Sequence, residues 1–193
     1  MKKSVKQLLR LLSIVLIGPI TATYLLLNAF LKSDAFFSAF SQTLSLIPGK
    51  TGGYLRAGFY RFAMTHCSQS AYITFLTLFS QRDTEIDSGV YIGPQCNIGK
   101  CKIGKNVLLG SNVHILSGKG QHNFSDLDIP IRDQGGTFEK IEIGEDTWIG
   151  NGALVMANVG RSCVVAAGSV VIEEVCDYAV VAGNPAKVIK MRK

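Results

Sequence analysis

Branched apolar residues return every six positions through much of this chain, and few folds can use that period. In the stretch 141–150, Ile-Glu-Ile-Gly-Glu-Asp-Thr-Trp-Ile-Gly, Ile143 and Ile149 stand six apart and each precedes a glycine. The step recurs at Ile86, Ile92 and Ile98, then at Ile103 and Leu109, and at Ile115. Downstream it returns at Val155, Val159, Val165 and Val171, with the step from Val155 to Val159 shortened. A hexad with one inward branched residue and a small or polar residue at the corner is the signature of a parallel β-helix. Three hexads close one triangular coil of about 18 residues, which predicts roughly five coils between Ile73 and Val181.

The pattern breaks at length once, between Leu116 and Ile141. The insert is polar and carries His122, three aspartates and Arg132. Long loops thrown out from a rigid scaffold are where binding and chemistry concentrate. The loop at 117–140 is therefore the first place to look for a site.

Ahead of the repeat, residues 11–31 are uncharged and long enough to cross a bilayer as a helix. Lys2, Lys3, Lys6 and Arg10 precede them and Lys32 follows. A cleaved signal peptide would have a shorter apolar region and a small-residue cleavage site. A spanning helix would keep its basic start in the cytoplasm and export the rest. The third reading takes Gly18-Pro19 as a break, because proline lacks the amide donor, and has the segment bend or lie in the membrane from one side. Lys32, Lys50, Arg56 and Arg61 on the far side suit two ends facing one anionic leaflet, so one-sided insertion is the expectation. Residues 35–47 read as a second interfacial helix, Thr51-Gly52-Gly53 as a turn, and 54–67, with His66 at its end, as an amphipathic helix capping the open coil. The division is 1–70 for anchor and cap and 71–193 for the β-helix.

A net charge of +6 fits an anionic partner, but no long basic run or aromatic-interleaved RNA-binding motif argues for nucleic acid. Five cysteines without a C-x-x-C pair make a poor disulfide framework. Cys96 and Cys163 occupy equivalent hexad positions and read as small apolar fillers.

The hexads, Trp148-Ile149-Gly150, the Ala-Ala-Gly-Ser-Val-Val of 166–171 and the Ala-Gly-Asn-Pro-Ala-Lys-Val-Ile of 182–189 resemble the hexapeptide-repeat acetyltransferases, which include galactoside, maltose, serine and streptogramin acetyltransferases. The resemblance covers about residues 73–193, while the amino-terminal part is more similar to membrane-associated members that modify bacterial polysaccharides. It implies an all-β, left-handed parallel β-helix with a membrane-attached helical segment. It also implies a homotrimer, acetyl-CoA as acyl donor, no metal, and active sites in clefts between subunits.

Acetyl transfer to a hydroxyl needs a base and an oxyanion donor. His122 matches the family's catalytic histidine at the start of the long loop. His114 reads as a coil side chain lining the cleft, beside Asn112. Asp126 and Asp128 could orient His122, or be solvated loop acids, and with Arg132 they are candidates for acceptor binding. The resemblance places Trp148 by the acyl-transfer cleft and Gly150 and Ala167 along the pantetheine arm, where small residues admit an amide chain. Lys187 and Lys190 match basic positions that meet coenzyme A phosphates, though 187–193 also reads as an ordinary basic tail. Ile172 stands where some members carry threonine. The expected activity is O-acetylation of a sugar hydroxyl on a membrane-linked or polysaccharide precursor, at the cytoplasmic face of a bacterial inner membrane. A carbonic-anhydrase-like metal enzyme on the same scaffold, or a non-catalytic membrane scaffold, are the alternatives.

Overall fold

The computed structural model describes residues 3–192, so Lys2 and Lys193 lie outside the described residues. Three helices, α1 (Lys3–Leu31), α2 (Asp34–Ser45) and α3 (Gly49–Ala63), precede a parallel β-helix built from three ribbons of short strands. Sheet A stacks His66–Cys67, Glu85–Ile86, Cys101–Ile103 and Ile141–Ile143, and single bridges at Val159 and Val175 extend it. Sheet B stacks Tyr72–Ile73, Tyr91–Ile92, Leu108–Leu109, Trp148–Ile149, Val164–Val165 and Ala179–Gly183. Sheet C stacks Leu78–Phe79, Asn97–Ile98, His114–Ile115, Leu154–Val155 and Val170–Val171.

The second residue of nearly every strand points inward, so the hexad residues form columns. Ile73, Ile92, Leu109, Ile149, Val165 and Val181 fill one wall, and Phe79, Ile98, Ile115, Val155 and Val171 another; all are buried. Burying each such side chain is worth about 1.5–3 kcal/mol, so the columns carry much of the stability. Just before several strands, a small inward group donates to a carbonyl of the next coil. Thr77 Oγ1 donates to Gly93 O at 2.9 Å and Cys96 Sγ to Gly110 O at 3.1 Å. Thr147 Oγ1 donates to Gly160 O at 2.8 Å and Cys163 Sγ to Cys176 O at 3.1 Å. The cysteines are therefore fillers that also satisfy a backbone acceptor.

The corners explain the small residues. Asn106, Asn112 and Asp146 take left-handed φ values of 59°, 55° and 56°, which Asn and Asp tolerate better than most side chains. The register shows the coils tightening along the axis: Tyr91 lies 19 residues beyond its partner Tyr72, but Val180 only 16 beyond Val164. The shortened step from Val155 to Val159 belongs to this taper, since Val159 reaches sheet A as an isolated bridge.

The amino-terminal part differs from expectation in four places. The β-helix begins at His66–Cys67, so His66 is a strand residue rather than part of the helical cap. Thr51-Gly52-Gly53 is not a turn but the first turns of α3, entered through Pro48 as N-cap. These glycines allow close packing: a Cβ at Gly52 would stand 2.0 Å from Ile47 O, and one at Gly53 would stand 2.7 Å from the Tyr72 ring. Gly18-Pro19 does not break α1, which runs unbroken through Pro19. Lastly, Arg56 does not face a leaflet. It is fully buried, and its guanidinium donates to Ile73 O (3.0 Å), Leu44 O (3.0 Å), Ser45 O (3.4 Å) and Ile47 O (2.7 Å). Burial lowers its pKa, but the site suits a cation because three of these carbonyls end or follow α2, where the helix dipole is negative.

Helices α2 and α3 sit on the first coil, and α1 lies over them. Ser13, Ile17, Thr21 and Tyr24 form its buried stripe, and Tyr24 enters a nest of Phe36, Phe37, Phe40 and Phe59. Its carboxyl end is tied to the first coil, for Arg82 donates to Asn28 Oδ1 and Lys32 O and pairs with Asp34. The remaining perimeter, including Leu8, Leu12, Val15, Leu16, Leu26 and Phe30, is exposed.

Replacing Arg56 with Met strands buried carbonyls and is expected to cost roughly 3 kcal/mol, a fall in Tm of about 6–12 °C. Thermal denaturation measures it. A Tm unchanged from wild type would show that Arg56 does not hold the cap to the coil.

Candidate functional site

Residues 117–140 leave the corner between sheets C and A and return beside their own root. The two arms are laced by Glu139 N to Ser117 O (2.9 Å), Thr137 N to Gly120 O (2.7 Å) and Asn123 N to Gly135 O (2.9 Å). Gly136 is required there, because a Cβ would meet Gln121 O at 2.0 Å. Lys140 closes the root by donating to both Asp83 and Glu85 of a lower coil. His122 thus sits on a hairpin-like arm, exposed to solvent, and its ring makes no hydrogen bond among the described residues.

The loop acids do not join it. Asp126 Oδ1 accepts from the amides of Asp128 (2.9 Å) and Ile129 (3.1 Å), and Gln134 Nε2 bonds the Asp126 and Ile129 carbonyls at 2.7 Å each. Asp126 is therefore a staple that shapes the tip. Asp128 and Arg132 lie exposed on that tip, Arg132 paired with Asp133 at 3.5 Å. The tip is unusually apolar for a free loop: Leu127 is 96 % exposed and Phe124 74 %.

His114 stands on the outer face of sheet C, in register with Asn97 below and Leu154 above. It lines a groove of about 170 Å³ with Ser80, Asn97, Ser117, Gln121 and Phe138. Asn112 Oδ1 lies 3.3 Å from its Nε2, so the side chain of this corner residue also fixes the ring. Asn97, Gln121 and Phe138 were not singled out from the sequence. The one-coil spacing from 97 to 114 could have found Asn97, whereas Gln121 and Phe138 arrive only through the loop's fold.

The residues matched to a coenzyme site gather elsewhere. Trp148 is on the outer face of sheet B, 54 % exposed, in a column with Leu108 and Val164. Gly150 and Ala167 adjoin one another at the next corner, between sheets B and C. Gly150 has a reason of its own: a Cβ would stand 2.5 Å from Ala167 N, so coil stacking already demands glycine. Ala167 is exposed, and its amide donates to no backbone carbonyl among the described residues. Lys187 and Lys190 are exposed on the strand Ala186–Met191, which folds back antiparallel on Ala179–Gly183. That strand belongs to sheet B, three strands from Trp148, roughly 14 Å at ordinary strand spacing. Neither lysine enters an ion pair among the described residues, so both are free to meet phosphate. One corner thus offers an indole face, a small exposed step with a free amide, and two cations at its end. The chemistry fits a thioester donor bearing phosphates. The His122 arm leaves from a different corner, between sheets C and A.

Ile172 lines a separate groove of about 450 Å³ with Lys119, Glu139, Met156 and Glu173, at the root of the loop. Four of the five thiols are buried. Burial pushes Cys67 and Cys101 up to about 12 and Cys96 up to about 11, and raises Cys163 as well. Among the described residues no three His, Cys, Asp or Glu side chains gather as a metal-ligating group.

In sequence and in fold the chain is similar to hexapeptide-repeat acetyltransferases. A probable acetyltransferase of Mycobacterium tuberculosis is 37 % identical over 94 residues, covering 48 % of this chain and 31 % of that protein. A hexapeptide-repeat-containing acetyltransferase from Vibrio cholerae, complexed with acetyl coenzyme A, superposes with a TM-score of 0.65 at 21 % identity, over 81 % of this chain and 87 % of that one. A mutant N-acyltransferase from Bacillus cereus, bound to dTDP-4-amino-4,6-dideoxyglucose and coenzyme A, superposes with a TM-score of 0.55 at 20 % identity, over 64 % and 70 %. No protein-family model matches the chain. The chain spans less than two thirds of the length of the curated relatives it matches. The fold resemblance bears out the parallel β-helix expected from the hexads.

Two measurements follow from this geometry. Native protein is expected to present one thiol per chain to an aromatic disulfide reagent, since only Cys176 among the five cysteines is exposed; fast titration of a second would contradict the buried columns. The hydrogen bond from Lys140 holds the Asp83 carboxyl below the ordinary carboxylate range. The resulting stabilisation is present above about pH 4 and fades as pH falls through the lowered value. Lys140→Met should therefore be less stable than wild type at pH 7, by under about 1 kcal/mol for so exposed a pair, with the gap closing in acid. A gap that widens in acid would reverse the assignment.

Proposed function

We propose that this relative of the hexapeptide-repeat acetyltransferases transfers an acetyl group from acetyl-CoA to a sugar hydroxyl, with His122 as general base. The observation that carries the reading is the separation of the two half-sites. His122 rides an arm from one corner, while Trp148, Ala167, Lys187 and Lys190 line another, and both surfaces expose apolar side chains that a neighbouring copy would cover. Leu127 and Phe124 on the arm and Leu108 and Trp148 on sheet B are such side chains. A homotrimer, in which each arm reaches the next protomer's sheet B corner, completes the site.

In that cleft the neutral imidazole of His122 accepts the hydroxyl proton as the oxygen attacks the thioester carbonyl. The C–S bond then breaks, and the imidazolium returns the proton to the leaving thiolate. No covalent enzyme intermediate is needed. The free Ala167 amide and the indole hold the pantetheine arm, and Lys187 and Lys190 hold the phosphates. Asn112 orients His114 in the groove where the acceptor would enter, and Asp126 sets the tip that carries Asp128 and Arg132. A saccharide acceptor agrees with the sugar nucleotide in the Bacillus cereus structure.

The membrane seat is part of the same reading. Helix α1 is long and apolar enough to cross a bilayer. It is nonetheless docked along one stripe, and its carboxyl end is held by Arg82 and Asp34. Standing upright in a bilayer, it would abandon that stripe or draw those charges into hydrocarbon. Lying in the plane, it keeps its stripe and offers its leucine-rich face to lipid. The coils would then project into the cytoplasm, where acetyl-CoA is found, at the inner face of a bacterial membrane.

His122→Ala is expected to lower turnover of acetyl-CoA with candidate glycan acceptors by about 100-fold or more while the trimer persists. Mass spectrometry of the glycan and light scattering of the protein read the two effects. Undiminished turnover in the variant would remove the base, and a monomer under all conditions would remove the shared cleft.

A further inference from the structure

The positive charge of this chain is segregated. Residues 1–82 hold nine lysines and arginines and one acid, Asp34, whereas residues 83–193 hold eleven and thirteen. Two open grooves at the foot of α1 concentrate the excess. One, of about 470 Å³, lies between α1, the start of α3 and the first coil, and is lined by Lys6, Arg10, Lys50, Tyr54, Ser70 and Tyr72. The other, of about 440 Å³, shares Arg10 and Ser70 and adds Arg61 and His66.

These cations have no acids to answer them. Among the described residues Lys6, Arg10, Lys50 and Arg61 enter no ion pair; Asp83 and Glu85 of the next coil are already held by Lys100 and Lys140, and Asp87 accepts from the Ser88 amide and pairs with none of them. Arg10 lines both grooves. A cluster of cations without acids attracts an anionic oxygen from outside the chain. The source is indicated by what adjoins the groove: Leu9 and Leu11, the chain neighbours of Arg10 on α1, are exposed and lead onto the helix's apolar face. A ligand with a phosphate in the groove and acyl chains along that face satisfies both surfaces at once.

We infer that the groove at the foot of α1 binds the phosphate of a membrane lipid, with Arg10 as its central ligand and Lys6, Lys50 and Arg61 around it. Tyr54 and Ser70 hydroxyls supply neutral donors for the remaining oxygens. The site lies beside sheet B's first rung, far along the coil axis from Lys187 and Lys190, so it is separate from the coenzyme wall. From the proposed function it takes only the membrane seat of α1, and the two are tested apart.

The test uses the full chain in neutral detergent micelles, titrated with dihexanoyl phosphatidic acid, dihexanoyl phosphatidylcholine and inorganic phosphate, followed by phosphorus NMR. Phosphatidic acid should bind saturably, one per chain, at least about ten-fold tighter than either other ligand. Arg10→Ala and Lys50→Ala should each weaken it by about five-fold or more, Arg10→Lys should recover part of the loss, and Lys119→Ala at the root of the 117–140 loop should change nothing. Circular dichroism confirms that each variant is folded. Equal affinity for the two lipids, or insensitivity to both alanine variants, overturns the site. Inorganic phosphate binding as tightly as phosphatidic acid overturns the lipid as its source. Partition into neutral phosphatidylcholine vesicles reads the leucine face alone, so a failure of the membrane seat is distinguishable from a failure of the phosphate site.

Discussion

Everything in this molecule rests on one coil lying in register on the next. Each rung gives its amides to the carbonyls of its neighbour, and each inward residue stacks on its counterpart, so backbone pairing and burial enforce the same alignment. A slip by one residue would turn a whole column of isoleucines and valines to solvent. This mutual constraint explains the restricted corners, with Asn106, Asn112, Asp146 or glycine at many of the positions where φ is positive, although Leu76, Gln95, Ser162 and Tyr178 take it too, and glycine where the next backbone comes close. It also explains why the chain tolerates a long insert. The loop at 117–140 leaves and returns at one corner, and the rungs on either side pair as though it were absent.

A stacked structure has an open first rung, and the helices answer it. Arg56 is the point where this is achieved, a buried cation that takes carbonyls from α2, from the connection to α3 and from Ile73 of the first coil. Buried guanidinium groups are costly unless their donors are used, and here one of the three nitrogens, Nη2, remains without a partner. The arrangement makes the cap and the coil a single unit. Helix α1 then rests mainly on the cap, with its carboxyl end tied to the first coil by Arg82, and most of its perimeter stays exposed.

The same geometry disperses the candidate site. A triangular prism offers three corners, and the hexad pattern assigns residues to corners without regard to chemistry. His122 leaves from one, while Trp148, Gly150 and Ala167 lie at another. The loop tip and sheet B both carry exposed apolar residues, Phe124 and Leu127 on the one and Leu108 and Trp148 on the other. Gly150 illustrates how a resemblance and a structure can explain one residue differently, since the proximity of Ala167 already excludes a side chain there.

Periodicity alone determined the β-helix, its inward columns, the position of the long loop and the apolar length of α1, because a six-residue repeat and an uncharged run are local properties. The resemblance carried by the 148–150, 166–171 and 182–189 motifs supplied the candidate roles of His122, Lys187 and Lys190. Only the tertiary structure decided that Arg56 is buried, that Gly52 and Gly53 lie in a helix, that Pro19 leaves α1 whole and that Asp126 shapes the loop rather than touching His122. Each of these depends on a partner distant in sequence, a carbonyl or a ring that no local pattern announces. A cation beside an apolar run looks solvated until the fold brings four acceptors around it.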